Sequence, residues 1–134
     1  MRTDVELRLR QAGIRVLTFD ERDSSPGGPF LYVNITTKFG DGPSAGVVGF
    51  SIDVELRQAV RLDRDPDIWL PGAMTWEIGS TGFMGEARLR TLRESLGDLV
   101  DMFINAYYAA NPERTPTPIQ TPGPAPASRK NKRQ

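Results

Sequence analysis

The clearest regularity in the chain lies in its middle, where Val48, Phe50, Ile52, Val54 and Leu56 alternate with Gly49, Ser51, Asp53, Glu55 and Arg57. A strand turns successive side chains to opposite faces, so this pattern predicts a strand with one buried and one solvated side. Val60 and Leu62 extend the same parity. Residues 30–38 are rich in aromatic and β-branched types, with Leu31, Val33 and Ile35 on one face, and predict a second strand of the same kind. Residues 14–19 read as an earlier strand and residues 20–28 as a turn-rich loop. After a loop holding Pro66 and Pro71, Met74, Trp76 and Ile78 alternate with Thr75 and Glu77 and predict a fourth strand.

The period changes to helical at both ends. Val5, Leu9 and Ala12 recur at helical spacing, Thr3 and Glu6 have the spacing of a capping box, and Gly13 supplies a left-handed stop. Residues 4–12 are therefore expected to form a short amphipathic helix, which must pack on something to persist. From about residue 85 to 110, Leu89, Leu92, Leu96, Leu99, Phe103 and Tyr107 follow spacings of three and four, and Asn111 and Pro112 end the run. Gly97 inside it costs about 1 kcal/mol against Ala, and either the close approach of another backbone or simple tolerance accounts for it. The order α-β-β-β-β-α predicts an α+β two-layer sandwich: a four-stranded, mostly antiparallel sheet with a short N-terminal and a long C-terminal helix on one face. A helix opening so near residue 1 raises the expectation of an upstream strand that completes the sheet.

Composition changes this picture mainly by exclusion. Among 134 residues there is no cysteine and no histidine, which removes disulfides, thiolate and imidazole metal ligands, a Cys nucleophile and Ser-His-Asp chemistry. The charge is balanced, 17 basic against 17 acidic residues, but residues 112–134 carry five basic side chains against Glu113 alone. The folded part is then mildly acidic, so any nucleic-acid contact falls to the basic tail and not to the domain surface. No stretch approaches the roughly 18 apolar residues of a membrane span, and the first residues lack a signal-like apolar core. The expectation is a soluble, cytoplasmic chain as written, or a periplasmic or envelope one if the true start lies upstream. Residues 1–111 are read as one domain and residues 112–134, with six prolines and a basic end, as a disordered tail.

Candidate chemistry is thin. Gly42-Pro43-Ser44-Ala45-Gly46 matches a nucleophile-elbow pattern, but it lies between two predicted strands with no histidine anywhere to take the proton, so it reads as a hairpin loop. Gly40, Gly42 and Gly46 lack the Gly-Lys-Ser/Thr and the helix of a phosphate loop. Asp63, Asp65 and Asp67 reproduce the first half of a calcium loop, yet Ile68 and Met74 stand where its glycine and bidentate glutamate belong, so they are at best a weak metal site. Asp53, Glu55 and Glu77, with Arg57 and Arg61, are expected on the outward face of the sheet. They are either its ordinary solvated side, a carboxylate set for acid/base work, or a partner surface. Trp69, Tyr107 and Tyr108 are the aromatic candidates for contact with a partner.

Leu9-Arg10-Gln11-Ala12-Gly13-Ile14, Tyr32-Val33-Asn34-Ile35, Ser51-Ile52-Asp53-Val54-Glu55-Leu56, Thr75-Trp76-Glu77 and Phe103-Ile104-Asn105-Ala106-Tyr107 together resemble a family of small bacterial proteins, often exported, with no assigned activity. The likeness spans nearly all of residues 4–112. It implies an envelope protein, and it attaches no functional residue to any position here. The reading reached from the sequence is a binding or assembly domain without catalysis or cofactor. It is expected to meet a protein partner or a second copy through Asp53, Glu55, Arg57, Arg61, Glu77 and Trp69 or through an unpaired sheet edge. The alternative is a small hydrolase, or a ligand- or metal-binding protein, that uses surface carboxylates.

Overall fold

The computed structural model describes residues 1–114, so the expectation for the tail lies, from residue 115 on, outside the described residues. The fold is α+β: a three-stranded antiparallel sheet in the order β1-β2-β3 with helices at both ends of the chain. The strands are β1 (Phe30–Phe39), β2 (Val47–Leu62) and β3 (Asp65–Gly85), and the helices are α1 (Arg2–Gln11), α2 (Phe19–Asp23) and α3 (Thr91–Ala110). No helix among the described residues is long and apolar enough to cross a membrane.

Several sequence expectations need correction. Residues 14–18 do not form a strand: they follow the helix stop at Gly13 (φ +82°), carry Ile14 and Val16 against the core and pair with nothing in the sheet. The burial of Ile14 and Val16 is thus packing without a ladder. Thr18 then caps α2, accepting from the Glu21 backbone N–H while its own N–H donates to the Glu21 carboxylate. This is the capping box of the molecule. The pair Thr3 and Glu6 is not one, because α1 already begins at Arg2 and the Glu6 carboxylate is taken by Arg2 and Arg10.

The second correction concerns the prolines. The supposed loop and the fourth strand are one strand, β3, hairpinned to β2 across Asp63 and Arg64. The ladder tolerates Pro66 and Pro71 because the pairing shifts register around each of them, and a residue without an N–H fits an edge strand at such irregularities. A further shift lets Arg57 pair with Met74 while Leu56 pairs with Trp76, leaving Thr75 bulged. Period-2 alternation therefore fails at Met74: Trp76 and Ile78 pack on the core, whereas Met74 is half exposed.

The core is where the sequence put it. Ile52 and Val54 on β2 are fully buried under Leu92, Leu96, Leu99, Val100 and Phe103 of α3, with Val5 and Leu9 of α1 completing the layer, and Val48 is fully buried nearer the start of β2. Trp76 meets the Phe103 ring edge-on at 5.2 Å. Helix α3 starts at Thr91 and not near residue 85, because β3 runs to Gly85 and a 3-10 turn, Glu86–Arg88, intervenes.

Helices α1 and α3 are tied at three points: Arg93 donates to Asp4 at 2.5 Å, Arg8 to Asp101 at 2.6 Å, and the Tyr108 hydroxyl to the Ala12 carbonyl. The Arg93 guanidinium, and then the N-terminal ammonium, hold the Asp4 carboxyl below its ordinary range. Gly97 belongs to this contact. A Cβ there would fall 2.5 Å from Nη2 of Arg8, so the missing side chain makes room for a guanidinium reaching Asp101 and not for another backbone.

Candidate partner-binding site

Alternation on β2 fixes both faces of the sheet. Opposed residues of a ladder share a face, so the solvent face carries rows such as Asn34–Asp53–Gly79 and Tyr32–Glu55–Glu77. Asp53 accepts from the Asn34 amide at 3.3 Å and lies near the Ser51 hydroxyl at 3.4 Å. Its carboxylate leans over Gly79, where a Cβ would sit 3.1 Å from Oδ1. Arg57 donates to Glu55 at 2.6 Å and covers the Tyr32 ring at 4.8 Å. Glu77 stands directly opposite Glu55.

The fold thus brings Asp53, Glu55, Arg57 and Glu77 onto one face, while Arg61 and Trp69 pair with each other out on the distal half of the hairpin. Ile68, Trp69 and Leu70 are exposed there. Arg61 donates to the Pro66 carbonyl at 2.8 Å. Asp63 lies in the hairpin turn, and Asp65 accepts from the Asp67 N–H at 3.3 Å. Among the described residues no three acidic side chains converge as a metal-ligand set. Gly42–Ser44 form a 3-10 turn between β1 and β2, with no helix following. Tyr107 and Tyr108 are partly buried, so of the three aromatic candidates Trp69 alone is strongly exposed.

What sequence reading did not isolate is the open flank of β1. The sheet order leaves one edge of β1 and one edge of β3 without a ladder partner among the described residues. The direction of the backbone groups follows from the hydrogen bonds at the strand ends. Gly40 N–H donates to the Val47 carbonyl at 2.8 Å in continuation of the β1–β2 register, and Ala59 N–H donates toward Gly27 on the same side. In an antiparallel ladder, residues that exchange bonds alternate with residues that do not. On β1 the even-numbered residues therefore bond to β2, and Leu31, Val33, Ile35, Thr37 and Phe39 turn their N–H and C=O groups outward.

The first three of these also send their side chains to the inner face, where the helices leave them partly uncovered. Beneath them is a cleft of about 600 Å³, lined by Val5, Leu31, Val33, Ile35 and Leu96 together with Arg2 and Glu6 of α1. Phe19, Arg22 and Phe30 stand at its mouth, with Arg22 over the Phe19 ring at 4.2 Å. Free backbone groups and half-covered apolar side chains thus belong to the same residues. The signal available in the sequence was the composition of 30–39: no proline, no glycine and Lys38 as its one charge.

Comparison of the chain with protein-family models, with curated proteins and with solved structures gives no match. The class is thus defined by architecture alone, a small α+β domain with an antiparallel sheet whose two edges have no ladder partner among the described residues, and the resemblance to an exported bacterial family gains no support.

Proposed function

We propose that this domain is a non-enzymatic binding or assembly module that takes an extended segment of a protein partner along the free edge of β1. The observation that carries the reading is the regularity of that edge. Strand β1 pairs with β2 through ten consecutive positions without one register shift. Natural edge strands are ordinarily blunted by bulges, prolines, charge or brevity, because a row of unpaired N–H and C=O groups recruits further strands. None of these guards interrupts residues 30–37. Strand addition draws affinity from main-chain hydrogen bonds and specificity from pockets for alternate side chains, and the cleft under Leu31, Val33 and Ile35 is such a pocket.

A displayed library of random ten-residue peptides is a direct probe. The expected result is enrichment of sequences with apolar residues at alternate positions, whose binding slows amide exchange at Leu31, Val33, Ile35 and Thr37. No enrichment, or binders that protect the solvent face around Asp53 and Glu77 instead, would overturn the edge reading.

A further inference from the structure

The chemistry of β1 also specifies what an incoming strand must look like. Residues opposed in a ladder share a face, so those set against Leu31, Val33 and Ile35 lie on the cleft side, where apolar and β-branched side chains, threonine included, fit, whereas those between them meet solvent. Strand β1 is itself such a sequence. We infer that the segment joining β1 is the β1 of a second copy of this chain, paired antiparallel about a two-fold axis normal to the sheet, giving one continuous six-stranded sheet. The inference rests on the proposed edge reading and names its partner.

Self-complementarity is the test a two-fold interface must pass, since each residue meets its own patch. Only registers that oppose odd-numbered with odd-numbered residues match both the outward backbone groups and the inner face. Two of these give the longest overlap. With the axis at Asn34, Val33 meets Ile35, Leu31 meets Thr37, and Lys38 faces Phe30. With the axis at Ile35, Val33 meets Thr37, Leu31 meets Phe39, and Lys38 faces Tyr32. In neither does Lys38 meet Lys38, so the single charge of the strand is never set against itself. Helix layers of both copies lie on the same side of the joined sheet. The two clefts then adjoin, so that the inner-face side chains of the two β1 strands cover one another. Phe19, 72 % exposed at the mouth of the cleft, lies beside the same seam.

Sedimentation of the full chain across micromolar to millimolar concentration reads the dimer, and amide exchange over the same series reads where it forms. The expected result is a monomer–dimer equilibrium in which Leu31, Val33, Ile35 and Thr37 gain protection with concentration while Tyr32, Asn34 and Thr36 are protected throughout. Val33→Pro removes an N–H that points away from β2, and the symmetry removes it twice per dimer. Dimerisation is expected to weaken about tenfold or more, with the β1–β2 ladder retained. The exchange series on the unaltered chain decides the matter even if that variant folds poorly. A chain that stays monomeric at every concentration, or a dimer whose protected amides lie on β3 or the helices, overturns the second copy as partner. If the monomer nevertheless takes alternating peptides on β1, only the identity of the partner falls. If it takes none, the edge reading falls with it.

Discussion

At the β1 margin the residues with outward backbone groups are Leu31, Val33, Ile35 and Thr37; at the β3 margin, by the same ladder argument, they are Glu77, Gly79, Thr81 and Phe83. The first set sends mainly branched apolar side chains inward, toward a cleft. Side chains of the second set face solvent, because β2 passes its parity to both neighbours while its hydrogen-bonding sides alternate. Strand β3 is further interrupted by a bulge at Thr75, by register shifts around Pro71 and Pro66, and by acidic residues at Asp65, Asp67 and Glu77. A strand added to β3 would have to follow those irregularities. One sheet thus has a guarded margin and an open one, and the difference lies in which residues carry the free backbone groups as much as in composition.

The largest expected effect contrasts the middle of the sheet with its open margin. Ile52 is fully buried on β2, and its ladder partner Ile35 lines the cleft on β1. Truncating a buried Ile to Ala removes apolar contacts and leaves a cavity, at a cost of about 2–5 kcal/mol. Ile52→Ala is expected in that range, and Ile35→Ala well below it, when unfolding is followed by denaturant at a concentration where the chain is monomeric. Equal losses would mean that the cleft is packed as tightly as the core, and the contrast between margin and centre would collapse.

A finer contrast uses two adjacent threonines. The Thr36 N–H points to β2 and the Thr37 N–H points away, so the same substitution tests the direction of the backbone at each. Thr36→Pro deletes a ladder bond and strands its acceptor, whereas Thr37→Pro deletes a donor that bonds only to water in the monomer. Thr36→Pro is expected to cost about 1–3 kcal/mol more than Thr37→Pro, as read from paired denaturation curves. The reverse order would place the outward groups on the even residues, and an incoming strand would then bond to residues whose side chains face solvent.

These contrasts also mark how far the sequence could be read. The period-2 run over β2 and the helical run over α3 made the core legible, since burial on one face leaves a pattern that local noise does not erase. Gly13 was legible as a stop for the same reason: the left-handed conformation selects for glycine. Residues 14–18 misled because Ile14 and Val16 alternate in burial without a ladder, and periodicity reports burial, not pairing. Pro66 and Pro71 misled in the other direction. They signal a loop unless the strand is an edge with shifted register, which depends on partners far along the chain. The charged face was foreseen for Asp53, Glu55, Arg57 and Glu77. The cleft was not, because the gap between α1, α2 and β1 is a property of how the layers meet and of no single segment.

The smallest expected effect belongs to the guarded margin. Glu77 lies directly across from Glu55 on the solvent face, and like charges so opposed are unfavourable. Glu55 is relieved by Arg57, whose Nε lies 2.6 Å from its carboxylate, while Glu77 is exposed at the edge. Glu77→Lys replaces the repulsion with attraction and is expected to add roughly 0.2–1 kcal/mol in monomer stability, shrinking at about 1 M salt as the exposed charges are screened. No gain at low salt would mean that Arg57 already neutralises Glu55 completely. The same variant separates the margins, because a lysine on an edge is itself a guard against strand addition. If association runs through β1, Glu77→Lys leaves the dimerisation constant unchanged while stability rises; a weakened dimer would place the interface on β3, the irregular margin.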